Sequence, residues 1–209
     1  MTDIVLFHHA LGRTEGTERH ASWLRDAGHV VHTPDLFEGR TFSSIDDGVA
    51  YAMATGFNTI LERAHRAVEV LPTDVVYIGQ SLGVVPAQAL AQTRSGSRGA
   101  VFLYSCVPVG EFGSWPQDVP VQIHGMGDDP YFRDEGDLAA AQELVSLARA
   151  GELFIYDGDQ HYFADDTLPS FRPDAAALVR ERVLRFLASL HDVDTAASQT
   201  ANQRVLKDH

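Results

Sequence analysis

Asp74-Val75-Val76-Tyr77-Ile78-Gly79-Gln80-Ser81-Leu82-Gly83-Val84-Val85-Pro86 changes character within a few residues. Asp74 to Ile78 is β-branched and aromatic, the composition of a buried strand. The residues from 82 to 93 suit a helix. Between them lies G-x-S-x-G, which chance alone would place in roughly one chain of this length in fifteen, given ordinary glycine and serine frequencies. Its setting carries more weight than the pattern. A strand that reverses sharply into a helix forces the serine into a strained backbone, and its neighbours must lack bulky Cβ atoms. Ser81 Oγ would then stand clear at the carboxyl end of a sheet, with the Leu82 amide at a helix N-terminus able to donate to an oxyanion. The plainer reading is a glycine-lined turn whose serine merely caps the helix.

The same alternation of short apolar runs and longer periodic segments continues on both sides. Strands are expected at Ile4–Phe7, His29–Thr33, Ala100–Tyr104, Val119–His124 and Glu152–Tyr156. Helices are expected at 15–27, at 44–71 with a possible break at Gly56, at 136–149 and at 174–190. Strands separated by helices of this length imply right-handed crossovers, hence an α/β fold with a mostly parallel, doubly wound sheet flanked by helices. Residues 1–190 read as one domain. From His191 the sequence turns polar, and 191–209 reads as a C-terminal tail.

The whole chain narrows the function classes. It has 209 residues, 44% of them hydrophobic, enough for one full core. A formal net charge of −13 disfavours nucleic acid and anionic membrane as partners. Cys106 is the sole cysteine, so no internal disulfide is possible. The start, MTDIVLF, lacks the basic end and long apolar core of a secretory signal, and no stretch is long enough to span a membrane. A cytoplasmic monomer or small homo-oligomer is the expectation. Lys207 is the single lysine and lies in the polar tail, which argues against Schiff-base or P-loop chemistry. No cofactor is implied.

A serine needs a histidine base, and the base needs a carboxylate to hold its tautomer. Both follow in the order Ser, Asp, His. After VQIH comes Gly125-Met126-Gly127-Asp128-Asp129-Pro130, and after ELFIY comes Asp157-Gly158-Asp159-Gln160-His161. Asp129 is preferred to Asp128 because it precedes the proline that fixes the turn. Each residue alone would read as an exposed loop residue; the ordered coincidence with the elbow reverses that. The second oxyanion donor is expected from the loop Phe7-His8-His9-Ala10-Leu11-Gly12, with the Ala10 amide the best candidate.

These residues resemble the dienelactone hydrolase family of the α/β-hydrolase superfamily. The resemblance covers roughly 3–190 and rests on VLFHHALG, HTPDLFEGRTF, GQSLG, QIHGMGDDPYF and YDGDQHYF. It implies a small α/β-hydrolase fold without a large cap. It also implies Ser81, Asp129 and His161 as nucleophile, acid and base, with oxyanion amides at Ala10 and Leu82. The sequence departs from the family in three places. The best-known members carry cysteine where Ser81 stands, a glutamate where His9 stands, and a substrate-binding arginine where Asp165 falls. Those departures point away from dienelactone itself and toward a generic small-molecule ester or lactone.

His8, His9, His124 and His161 all fall at strand ends and raise the question of a metal. Adjacent histidines on a strand point to opposite faces, and no H-E-x-x-H spacing occurs, so no metal is expected. His9, Trp115 and Tyr162 are expected to line the substrate pocket. Phe112, Tyr131, Phe132 and Phe163 lie in or beside the same loops, and these aromatics either wall the pocket or pack beneath it. Residues 105–118 are too few for a large lid. The reading is hydrolysis through an acyl-serine. The alternative is a non-catalytic protein of the same fold that binds a small molecule or partner, in which His161 would sit away from Ser81.

Overall fold

The computed structural model describes the backbone of residues 1–205 and the side chains of residues 1–190. Among these residues, six strands form one parallel sheet: β1 (Asp3–Phe7), β2 (Val30–His32), β3 (Val76–Gln80), β4 (Gly99–Leu103), β5 (Val121–Met126) and β6 (Gly151–Tyr156). Their order across the sheet is β2-β1-β3-β4-β5-β6. The chain steps outward from β1 to β2, crosses back to β3, and then proceeds to β6. The winding therefore reverses between β1 and β3, which pair with Phe7 opposite Gly79. Parallel α/β sheets open a crevice at the carboxyl ends of such a strand pair. The segments carrying Ala10 and Ser81 leave the sheet at this point.

Among the described residues, seven α-helices flank the sheet: α1 (Glu15–Asp26), α2 (Ile45–Thr55), α3 (Phe57–Val68), α4 (Val84–Thr93), α5 (Pro130–Asp134), α6 (Asp137–Leu147) and α7 (Pro173–Val205). Alternate strand residues face opposite sides. Val5, Phe7, Tyr77, Phe102 and Ile123 join a core with Ile60 and Ala64 of α3, Leu90 of α4 and Leu144 of α6. Ile4, Leu6, Ile78, Val101 and Leu103 join a second core with Leu24 of α1 and Val183, Phe186 and Leu187 of α7. The inner strands are buried on both faces, which explains why β1, β3 and β4 read as apolar runs rather than as polar–apolar alternation, while β6 at the sheet edge is partly exposed.

The expected strands and helices occur, and the domain is the single α/β unit with a parallel sheet that the sequence implies. The break at Gly56 separates α2 from α3, with Gly56 at φ 87°. Element ends shift by up to three residues, as at β3, β5 and the end of α3, and four further details differ. The helix expected from residue 82 begins as a 3-10 turn over Ser81–Gly83, and α4 starts only at Val84. α5, a five-residue helix, was not foreseen. β4 ends at Leu103, and Tyr104 turns away with φ 73°, a left-handed conformation rare for an aromatic residue. The last helix does not end at 190: its backbone continues to Val205, where composition suggested a tail, and residues 206–209 lie outside the described residues. No helix among the described residues is long and apolar enough to cross a membrane.

Candidate active site

The turn after β3 is strained where the motif requires it. Ser81 has φ 49°, while Gln80 before it is extended at φ −111°. A left-handed non-glycine residue costs on the order of 1 kcal/mol or more, and it persists only where its surroundings hold it. The flanking glycine explains how. A Cβ on Gly83 would lie 2.5 Å from the carbonyl oxygens of both Phe7 and His8. The elbow therefore presses directly on the end of β1, and only glycine fits between them.

Three loops converge here. Ser81 Oγ donates to His161 Nε2 at 2.8 Å, and His161 Nδ1–H donates to Asp129 Oδ2 at 2.6 Å. A carboxylate only accepts, so Asp129 fixes the imidazole proton on Nδ1 and leaves Nε2 free to take the serine proton. Asp129 is buried, and it also caps α5 through Oδ1, which accepts from the Tyr131 amide at 3.0 Å. Pro130 at the first helical position fits that cap. Asp128 is not part of the group: its side chain is exposed and pairs with Arg133 at 3.0 Å. The His161 ring lies among Tyr131 and Tyr162, each with its centroid 4.7 Å away, and Tyr104 at 5.9 Å. The Tyr104 turn thus delivers a ring that props the histidine loop, a role no sequence signal announced.

A second histidine–carboxylate pair stands behind the first. His9 Nε2 donates to Asp165 Oδ2 at 3.2 Å, and its Nδ1 accepts from the Leu11 amide. Burial pushes the Asp165 carboxyl up, but hydrogen bonds from His9 and Thr167 outweigh it and hold the group below the ordinary carboxylate range. The His9 ring stacks on Tyr162, centroids 4.6 Å apart and planes at 25°. His9 is fully buried and Tyr162 is 3% exposed; neither lines the cavity on which Ser81 opens, and His9 instead backs the Tyr162 ring. Tyr162 reaches the site: its hydroxyl lies beside the Ser81 side chain and the Ala10 backbone. Trp115 does not. It packs edge-on against Phe102 at 6.2 Å and donates to the Val119 carbonyl at 2.9 Å, anchoring the segment after β4 in the core. Phe132 and Phe163 are likewise fully buried beneath the loops.

Ser81 and His161 open on a cavity of about 270 Å³ whose walls include Ile45, Val49, Phe57, Val85, Val107 and Tyr131. Larger grooves exist, among them one of about 630 Å³ beside Leu190, but Ser81 and His161 do not line it. The cavity's charged lining consists of Glu135 and Asp137; neither lysine nor arginine contributes. Asp137 accepts from Ser105 Oγ at 2.5 Å and from the Cys106 amide at 3.3 Å, and burial raises its carboxyl above the usual range. Cys106 itself is buried, and burial pushes its thiol far up, so it is no nucleophile. The remaining strand-end histidines are structural. His8 Nδ1–H donates to the His9 carbonyl and Nε2 accepts from the Leu36 amide; burial lowers its pKa to about 4. His124 lies between Tyr156 and Gln122, and burial lowers it to about 3. No cluster among the described residues groups metal-binding side chains.

Such a group supplies what acyl transfer requires: a hydroxyl at a sharp turn, a correctly tautomerised base, and a buried carboxylate behind it. Ala10 and Leu82, whose amides were expected to bind the oxyanion, are both buried at the same sheet edge. Solved structures share the arrangement of elements. A dienelactone hydrolase-like promiscuous phosphotriesterase, P91 from metagenomic libraries, superposes with a TM-score of 0.73 at 17% identity, covering 91% of this chain and 87% of that one. A cold-adapted esterase from an Arctic intertidal metagenomic library gives 0.64 at 15% identity, covering 88% of this chain and 82% of its own. Esterase 2 of Thermogutta terrifontis, in its tabun-phosphoramylated form, gives 0.57 at 15% identity, covering 90% and 84%. No curated protein matches the chain. The sequence profile of the dienelactone hydrolase family matches residues 1–191, and the chain belongs to that family.

Proposed function

We propose that the protein hydrolyses a small, uncharged ester or lactone through an acyl-serine intermediate. Ser81 attacks the carbonyl carbon as His161 Nε2 takes its proton, and Asp129 steadies the imidazolium. The carbonyl oxygen becomes an oxyanion received by the amides of Ala10 and Leu82. Collapse expels the alcohol, or opens the lactone ring, with the proton returned by His161. A water deprotonated by the same ring then attacks the acyl carbon and frees Ser81. The observation that carries this reading is the 2.8 Å contact between Ser81 Oγ and His161 Nε2, with Asp129 2.6 Å behind the imidazole.

The restriction to uncharged substrates rests on the cavity. Its apolar wall and the carboxyl groups of Glu135 and Asp137 offer an anionic substrate repulsion and no counter-charge. The position at which the best-known family members bind a substrate carboxylate with arginine holds Asp165, here committed to His9. A panel of short aryl esters and lactones, neutral and carboxylated, tests the proposal in wild type and Ser81→Ala. Turnover of neutral members that disappears in Ser81→Ala supports it. Equal turnover in the two proteins refutes Ser81 as the nucleophile, and no turnover of any member in either favours the non-catalytic binding alternative.

A further inference from the structure

Tyr162 carries a feature that the proposed reaction leaves unexplained. Its side chain is 3% exposed, and its hydroxyl is a buried polar atom whose contacts with the Ser81 side chain and the Ala10 backbone fall short of hydrogen-bond geometry. Buried hydroxyls are normally satisfied, because burial strips away water and returns nothing unless a partner replaces it. This one points at a particular place. It lies beside the Ser81 side chain and the Ala10 backbone, the proposed nucleophile and one of the two proposed oxyanion donors. The ring cannot easily swing elsewhere. It is stacked on His9 at 4.6 Å, met by Tyr104 at 5.7 Å and flanked by His161 at 4.7 Å. His9 in turn is pinned by Asp165 at 3.2 Å.

We propose that the Tyr162 hydroxyl is a third oxyanion donor, held without a partner until the tetrahedral intermediate provides one. The inference rests on the acyl-serine reading and extends it, adding a side-chain donor to the two backbone amides. As the carbonyl carbon becomes tetrahedral, negative charge collects on its oxygen, and a fixed, dry O–H aimed at that point stabilises the charge more than it stabilises the neutral ester. Burial pushes the phenol up to about 12, so the hydroxyl keeps its proton through the neutral range and remains a donor. The His9–Asp165 pair is then a positioning device, fixing the plane of the ring that carries the donor.

The test is Tyr162→Phe, which removes one oxygen and keeps the ring. We expect kcat on a short aryl ester to fall about 100-fold with KM within about twofold of wild type, the signature of an interaction made only in the transition state. An aryl boronic acid, which forms a tetrahedral anion on the serine, should lose affinity in parallel. The melting temperature should stay level or rise, because the variant removes a buried hydroxyl that has no partner. A kcat within twofold of wild type, a loss confined to KM, or unchanged boronate affinity overturns the inference. So does a rise in kcat, which would mark the hydroxyl as a plug in the oxyanion site, and so does a variant that no longer folds, which would mark it as structural. Ser81→Ala measured alongside separates the two levels. If it is inactive while Tyr162→Phe is normal, only the third donor fails; if both turn over normally, the acyl-serine reading falls and the inference with it.

Discussion

At the residue scale, each position of the site owes its behaviour to a local environment that can be altered singly. Asp129 and Asp128 are chemically identical neighbours, yet one is buried against His161 and the other is exposed beside Arg133. Asp129→Asn should cut kcat by about 10⁴-fold, since an amide can donate to Nδ1 and favour the wrong imidazole tautomer. Asp128→Asn should leave ester hydrolysis within about twofold, because it disturbs only an exposed ion pair. Steady-state kinetics on one aryl ester decides between them, and similar losses in both variants would contradict this assignment. The preference for Asp129 rested on Pro130 fixing the turn; that the same aspartate caps a short helix was not legible. The partnership of His9 with Asp165 was not legible, because 156 residues separate them and neither lies in a recognisable pattern. Trp115 misled for a related reason. An aromatic residue in a loop near the sheet edge satisfies either a pocket or a core, and only its hydrogen bond to Val119 and its contact with Phe102 distinguish the two.

At the scale of elements, the positions of the loops depend on helices that press against them. α2 lies so close to the first loop that a Cβ on Gly48 would fall within 1.9 Å of the Ala10 carbonyl oxygen. Alanine ordinarily favours a helix over glycine by about 0.5–1 kcal/mol, but overpacking against backbone costs about 1–3 kcal/mol, so the clash should win. Gly48→Ala should therefore lower stability by about 1–2 kcal/mol. It should also reduce kcat, by displacing the Ala10 amide, although residue 48 touches no substrate. Denaturant melts paired with kinetics check this; a stabilised, fully active variant would show that α2 and the loop do not bear on each other. The strands and long helices were legible because apolar period and length separate them clearly. α5 and the Tyr104 turn were not, since a five-residue helix and a single left-handed residue leave almost no periodic signal.

For the whole molecule, buried histidines make stability depend on pH. Burial holds His8 and His20 at about 4 and His124 at about 3. Above the ordinary histidine pKa near 6.5 these rings are neutral whether the chain is folded or not, and they contribute nothing to pH dependence. As pH falls below that value, the unfolded chain binds protons that the core refuses, so stability declines down to about 4. A ring lowered from 6.5 to about 4 contributes a loss on the order of 3 kcal/mol by the bottom of that window. Asp137, raised by burial, opposes the trend only near the carboxylate range. Urea midpoints should therefore fall steadily between about pH 6.5 and 4. A midpoint constant over that interval would mean the rings are protonated in the folded protein. No single histidine in the sequence announces this property, because it comes from the depth of the strand ends in the assembled sheet.

The central claim concerns Ser81 as a nucleophile activated where β1 and β3 diverge. It is tested most directly by incubating the folded protein with a fluorophosphonate and locating the adduct by mass spectrometry. The account predicts one stoichiometric adduct, on Ser81, lost in the His161→Ala variant, which retains the hydroxyl but not its base. Folded wild-type protein that stays unlabelled, or that carries the adduct on another residue, would contradict it.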